Sequence, residues 1–175
     1  MFKKNLIFRP KQVLTGCASR HFSRLCLCAF FLFIFCVLGC QIFPKLPPVD
    51  LSQPDWTTRQ GQAVWRADRN APEIAGEILV ATKPDGSAFV QFTKTPLPFL
   101  VAQSTTNAWQ VHSIPDDKTY SGPSKPPVRI LWLYLPGCLA GIAPPKNLDW
   151  KRTDNNGWHL ENRRTGEYIE GYLMP

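Results

Sequence analysis

Three turn signals between segments of alternating apolar residues most constrain the fold of this chain. In Pro84-Asp85-Gly86, the proline presets φ, the aspartate side chain bonds the nearby backbone and the glycine supplies positive φ. Asn156-Gly157 is a strong short-hairpin signal. Residues 104–107 form the third signal. The predicted strands are residues 77–82, 88–93, 99–103, 109–114, 150–153, 158–162 and 167–173. Six or seven strands with short turns predict a mainly antiparallel sheet.

An apolar run from Val128 to Ile142 interrupts this pattern, and a pair of prolines flanks it on each side. Pro136-Gly137 divides the run, which predicts a short helix or helix-turn segment covered on more than one side. A sheet that buries one face against this segment is curved and open, a half-barrel that is mainly β and α+β overall. A closed sandwich, with the run as a central strand, is the alternative.

The positive charge is concentrated at the start of the chain. Although the chain has a net charge of +7, six of its 20 basic residues precede residue 41 and all 13 acidic residues follow it. The remaining 135 residues therefore carry 14 basic and 13 acidic side chains. Because phosphate binding needs a concentrated excess of Lys and Arg, this distribution argues against nucleic acid as a partner.

Residues 25–39 are fifteen apolar or small residues without a charge, and they follow the basic stretch. A helix that crosses a bilayer needs about 20 apolar residues, whereas a basic start and a shorter apolar centre are typical of a secretory signal. We therefore predict a signal peptide over residues 1–39. An uncleaved membrane anchor is the alternative.

The end of this segment, Val37-Leu38-Gly39-Cys40, resembles the lipobox of bacterial lipoproteins. The resemblance implies that Cys40 carries a lipid, and several acyl chains on one residue hold a protein firmly on a membrane. Gln41, where an Asp would signal retention in the inner membrane, implies the periplasmic face of the outer membrane. An apolar segment that happens to contain a cysteine is the alternative.

Residues 40–54 are rich in proline, which fixes φ and removes N–H donors. We predict an extended tether of roughly 40 Å. The tether leaves residues 55–175 as a single β-rich domain.

Catalytic and metal-binding motifs are scarce after Cys40. His112 and His159 fall in predicted strands beside polar neighbours, and Asp116-Asp117 falls in a predicted turn. Cys138 has no CxxC partner and is predicted to pack in the core. The sequence therefore predicts a protein that is not an enzyme and has no cofactor and no metal. A hydrolase that uses two separated carboxylates is the alternative.

Aromatic residues are abundant after Cys40, where all six tryptophans lie. Such rings most often fill a core, but along a curved sheet they also line pockets for acyl chains. The residues predicted to line such a cavity are Leu79, Phe89, Phe92, Phe99, Trp109, Trp132 and Trp158. Core packing alone is the alternative.

The order of these features resembles the LolB family of outer-membrane lipoprotein receptors. The likeness includes Trp56, Gly61, Gly76, Gly86, the segment Lys94-Thr95-Pro96-Leu97 and Gly157-Trp158. It implies a half-barrel closed by helices, whose apolar cavity holds the acyl chains of a lipoprotein delivered by a soluble carrier. It also implies that Leu97 projects from a membrane-inserting loop, in which Pro98 replaces the glycine of the family. A buried strand-end position for Leu97 is the alternative.

These observations predict an envelope lipoprotein that binds acyl chains of lipids or lipoproteins and assists lipoprotein insertion into the outer membrane. Its expected partners are membrane lipid acyl chains and a periplasmic lipoprotein carrier or client lipoproteins. The alternative is a structural or assembly lipoprotein that uses its sheet to bind a protein partner.

Overall fold

The computed structural model describes residues 45–153 and 156–174, which contain one antiparallel sheet of nine strands. The strands are β1 (Thr57–Arg66), β2 (Ile74–Thr82), β3 (Ala88–Lys94), β4 (Leu97–Ser104), β5 (Ala108–Ser113), β6 (Lys118–Pro123), β7 (Leu148–Arg152), β8 (Gly157–Asn162) and β9 (Tyr168–Leu173). Their order in the sheet is β6-β5-β4-β3-β2-β1-β9-β8-β7. Because β6 and β7 do not pair with each other, the sheet is open.

This architecture confirms the predicted fold class, a curved antiparallel sheet with a short helical segment. Each predicted strand overlaps an observed one, but the predicted number of strands is wrong. Only the resemblance to the LolB family, which includes Gly61, points to the strand β1. Its core-facing residues Gly61 and Ala63 are small, so its sequence shows little apolar alternation. The other missed strand, β6, buries only Gly122.

The apolar run forms a 3-10 turn, Leu131–Leu133, and a short helix, α1 (Leu135–Leu139). Pro136 fits the first turn of α1, where an N–H would have no partner. After the helix, Gly141 adopts a φ of +90°, and the N–H groups of Gly141 and Ile142 bond the carbonyls of Cys138 and Gly137. This pattern is a Schellman motif, which ends the helix.

The 3-10 turn and α1 cover one face of the sheet and complete its hydrophobic core. Trp132 is 2% exposed, and its ring centroid lies 5.4 Å from that of Phe92 and 5.8 Å from that of Trp65. Cys138 is also buried, as predicted, and burial raises the pKa of its thiol to about 11. This thiol is therefore protonated at neutral pH and packs as a small apolar side chain.

The N-terminal strap, residues 45–53, lies on the other face of the sheet. The Leu46 N–H donates to Gln110 Oε1 at 2.9 Å, and the Gln103 side chain donates to the Pro47 carbonyl at 3.4 Å. Lys83 Nζ donates to Gln53 Oε1 at 2.8 Å. The predicted tether therefore does not run free to residue 54, because glutamine side chains on the sheet bond its main chain.

The described residues belong to one compact unit, Phe43–Pro175. All nine strands and the whole core cluster lie in this unit, so it has what a domain needs to fold on its own. The predicted signal peptide and Cys40 lie outside the described residues. In the described part of the chain, no helix is long and apolar enough to cross a membrane.

Candidate functional site

The largest of three described cavities is a trough of about 700 Å³ that crosses β2, β1, β9 and β8. Ala63 of β1 belongs to the core, so its neighbours Gln62 and Val64 point to the opposite face. The trough therefore opens on the sheet face that faces away from the core. Six residues of its lining that share this face are Gln62, Val64, Ala75, Glu77, Glu170 and Tyr172.

Two glycines on the core side of the trough are in close contact with neighbouring main chain. A Cβ on Gly171 would lie 2.2 Å from the Gln62 carbonyl oxygen, and one on Gly76 would lie 2.4 Å from that of Thr93. Neighbouring main chain therefore occupies the space that a side chain would need, which is a close approach that only glycine allows. Thr95 and Thr153, each beside a hairpin turn, complete the lining at two of its edges.

The trough has an apolar part formed by small and aromatic side chains. Val64 and Ala75 are neighbours in register, and the Tyr172 ring is 45% exposed. Trp158 is 3% exposed and in register with Gly171 and Ala63, so its side chain belongs to the core and it borders the trough from the core side of the sheet. Its indole N–H has no hydrogen-bond partner among the described residues.

The polar part of the trough contains the carboxylates of Glu77 and Glu170 and the imidazole of His159. His159 Nδ1 lies 3.1 Å from Glu170 Oε2, and His159 Nε2 lies 3.5 Å from Glu161 Oε2. The imidazole also stacks on Tyr168, with 5.3 Å between ring centroids. Glu77 has no ion-pair partner in the described residues. The lining therefore combines an apolar surface with an excess of negative charge.

Two smaller cavities lie elsewhere. One, of about 250 Å³, lies beside Leu139, Arg152 and Leu173 near the end of α1, where Arg152 Nη2 donates to the Leu139 carbonyl. The other, of about 170 Å³, lies between the strap and the sheet and includes Trp56. Both are smaller than the volumes of about 300 to 1,000 Å³ that are typical of ligand sites, so the trough is the candidate binding site.

The residues predicted to line a cavity occupy three different places. Phe92, Trp109, Trp132 and Trp158 belong to the core cluster, and Phe99 packs against it. Phe89 is buried and Leu79 is half-buried, both on the opposite face. Only Trp158 also lines the trough. The other core rings do not border the trough because the 3-10 turn and α1 pack on their side of the sheet.

Leu97 is 68% exposed and begins β4, directly after the turn at Thr95-Pro96. Its exposure excludes the alternative of a buried strand-end residue. The same hairpin end contributes Thr95 to the trough lining. An exposed apolar side chain therefore lies two residues along the chain from the candidate site.

Glu167 is a half-buried carboxyl group beside Trp65, which packs against the core. It accepts a hydrogen bond from Trp65 Nε1 at 3.2 Å. Burial raises its pKa from 4.5 to about 7, while the hydrogen bond acts in the opposite direction. The folded chain therefore binds this proton more tightly than the unfolded chain does. As a consequence, folding stability should fall as pH rises from about 4.5 to 7.

Glu167→Gln should raise the free energy of unfolding at pH 8 by about 1 to 3 kcal/mol and change it little at pH 4.5, because glutamine carries no charge to desolvate. Urea unfolding of residues 43–175 at the two pH values measures this difference. The control is Asp116→Asn in the exposed turn before β6. An equal effect of Glu167→Gln at both pH values would contradict the assignment.

The trough itself is absent from the sequence-based prediction. It depends on the pairing of β1 with β9, whose paired residues lie about one hundred positions apart along the chain. Alternation within β9 is the one local signal, since Glu170 and Tyr172 alternate with the core residues Ile169 and Leu173. His159 falls in a strand as the sequence predicts, whereas its place in the trough lining is not predicted.

Comparison with known proteins adds no assignment. No protein-family model matches the chain, and a search of curated proteins finds no match. Within residues 45–153 and 156–174, no group of three His, Cys, Asp or Glu side chains could hold a metal ion. The function of the trough is therefore argued from its geometry and from the sequence.

Proposed function

We propose that this chain is a lipid-anchored envelope protein that binds the hydrocarbon part of an amphiphile in the trough. On the resemblance to the LolB family, the ligand is an acyl chain of a lipid or lipoprotein, and the protein assists its insertion into the outer membrane. The observation that carries the proposal is an open cavity of about 700 Å³ with an apolar part.

The size and the lining of the trough support reversible binding. Its volume lies within the range of about 300 to 1,000 Å³ found for ligand sites. Moving apolar surface out of water contributes about 25 cal/mol per Å², so contact with Val64, Ala75 and Tyr172 favours a hydrocarbon chain. An open trough leaves part of the ligand exposed, which allows a membrane to compete for it.

Leu97 supports the proposed role in membrane insertion. Exposed apolar side chains mark contact surfaces, and this one lies on the hairpin end that also lines the trough. Contact of Leu97 with the bilayer would bring the trough to the membrane surface. A ligand could then pass between them without a long path through water.

A binding measurement with residues 43–175 tests the proposal. The probe is a neutral twelve-carbon chain with a fluorescent group, used after circular dichroism has shown cooperative unfolding. We expect Ala75→Trp to weaken binding about tenfold, because the indole fills apolar space that the chain would occupy. The matched control is Gln60→Trp, on the same sheet face of β1 but outside the lining. Absence of binding to the unaltered protein would overturn the proposal.

The second candidate function is a structural lipoprotein that binds a protein partner through a strand edge. The edge strand β6 favours it, because no strand in the described part of the chain pairs with its outer side and Tyr120 is 49% exposed. Cross-linking in native membranes that returned one stoichiometric protein and no lipid would support this second candidate over the first.

A further inference from the structure

We propose that the trough selects amphiphiles that carry a positively charged ammonium group beside the hydrocarbon chain. This inference rests on the proposed function and names the ligand class of the same site. It is carried by the distribution of charge and aromatic surface in the cavity.

The carboxylates of the trough lie two rungs apart on the same face of the sheet. Glu77 pairs in register with Gln62, which pairs with Tyr172, and two residues along β1 the Val64 rung joins Ala75 and Glu170. The lining contains no Lys or Arg. A cation that enters the trough therefore meets two carboxylates and no fixed positive charge.

Three basic side chains on strands near the trough are held by other groups. Lys151 and Arg163 both contact Asp149, each at 3.3 Å. The Arg66 guanidinium lies 4.5 Å from the centre of the Tyr168 ring. None of the three belongs to the lining.

His159 is the one group in the lining that can become a cation. Two carboxylates, Glu170 and Glu161, face it at 3.1 and 3.5 Å. Even a protonated His159 is therefore balanced by its own neighbours. Glu77, on the far side of β1, keeps its charge available for a ligand.

The Tyr172 ring adds to the preference. It is exposed in the trough and lies in register between Gln62 and Gly157, so an ammonium group near Glu77 can reach its face. Such cation–π contacts favour ammonium over neutral groups.

Three detergents with the same twelve-carbon chain separate charge from hydrocarbon binding. Residues 43–175 are titrated below the critical micelle concentration with dodecyltrimethylammonium, dodecyl maltoside and dodecyl sulfate, each displacing the neutral fluorescent probe. We expect the cation to bind about tenfold more tightly than the neutral detergent, and the anion to bind most weakly. Raising the salt concentration should reduce the preference for the cation, since exposed charges are screened.

Charge-neutral variants identify the groups responsible. Glu77→Gln and Glu170→Gln should each weaken binding of the cation about two- to fivefold, the range for partly exposed ion pairs, and the change for the neutral detergent should be smaller than the change for the cation. The matched control, Asp116→Asn, removes a carboxylate from an exposed turn outside the trough. It should change the binding of neither the cationic nor the neutral detergent.

The outcomes separate the two proposals. Equal binding of all three detergents would overturn the charge selectivity and leave the hydrocarbon site intact. A preference for the cation that survives in the double variant, Glu77→Gln with Glu170→Gln, would also overturn it, because the charge would then act elsewhere. Failure of all three detergents to bind would overturn the proposed function itself.

Discussion

Trp132→Ala should lower the free energy of unfolding by about 3 to 5 kcal/mol, the usual cost of removing a large buried ring. The indole is 2% exposed and packs between Phe92 and Trp65. Its neighbours come from the sheet and from the 3-10 turn, so the cavity cannot close by the movement of one element. Urea unfolding of residues 43–175 measures the loss.

The same variant distinguishes a core ring from a ring that lines a ligand cavity. Trp56→Ala is the control. Trp56 is only half-buried and directly precedes β1, so its removal should lower the free energy of unfolding by less. If Trp132→Ala cost less than about 1 kcal/mol and instead reduced binding of the neutral probe, Trp132 would line the cavity that the sequence predicts. The packing described above would then be wrong.

Gly61→Ala should cost about 3 kcal/mol or more, although it adds only one methyl group. A Cβ at this position would lie 1.9 Å from the carbonyl oxygen of Tyr172 and 2.8 Å from Cα of Leu173. Both atoms belong to the main chain of β9, which cannot move aside without disturbing its pairing with β1. Thermal unfolding followed by circular dichroism measures the effect.

Gly137→Ala is the matched control for Gly61→Ala. Its new Cβ would meet only Ile142, at 3.8 Å, and it lies inside α1. Alanine in a helix interior should stabilise the fold by about 0.5 to 1 kcal/mol relative to glycine. A similar loss from both variants would show that the contact between β1 and β9 is not the cause.

The sequence predicts the hairpins well because their chemistry is local. Pro84-Asp85-Gly86 encodes a turn in three adjacent residues, and Asn156-Gly157 does so in two. Gly86 indeed adopts a positive φ, as does Asn156. The helical segment is also predictable, since Pro136-Gly137 breaks an apolar run that is too long for one strand.

The trough is not predictable in this way, because it depends on contacts between distant parts of the chain. Neither Glu77 nor Glu170 belongs to a motif, and the pairing of β1 with β2 and with β9 brings them onto the same face, two rungs apart. The prediction for Phe92 and Trp132 illustrates the same limit. Aromatic composition indicates that large rings pack together, but not whether the protein or a ligand fills the space beside them.

The strap limits how far the domain can stand from a lipid anchor. Since Leu46 is held by Gln110, only about six residues separate a lipidated Cys40 from the sheet, and six residues span at most roughly 20 Å. This is about half the reach of a tether that is free to residue 54. A domain anchored in this way would stay within roughly 20 Å of its own leaflet. A ligand from the opposite membrane would then have to be carried to it.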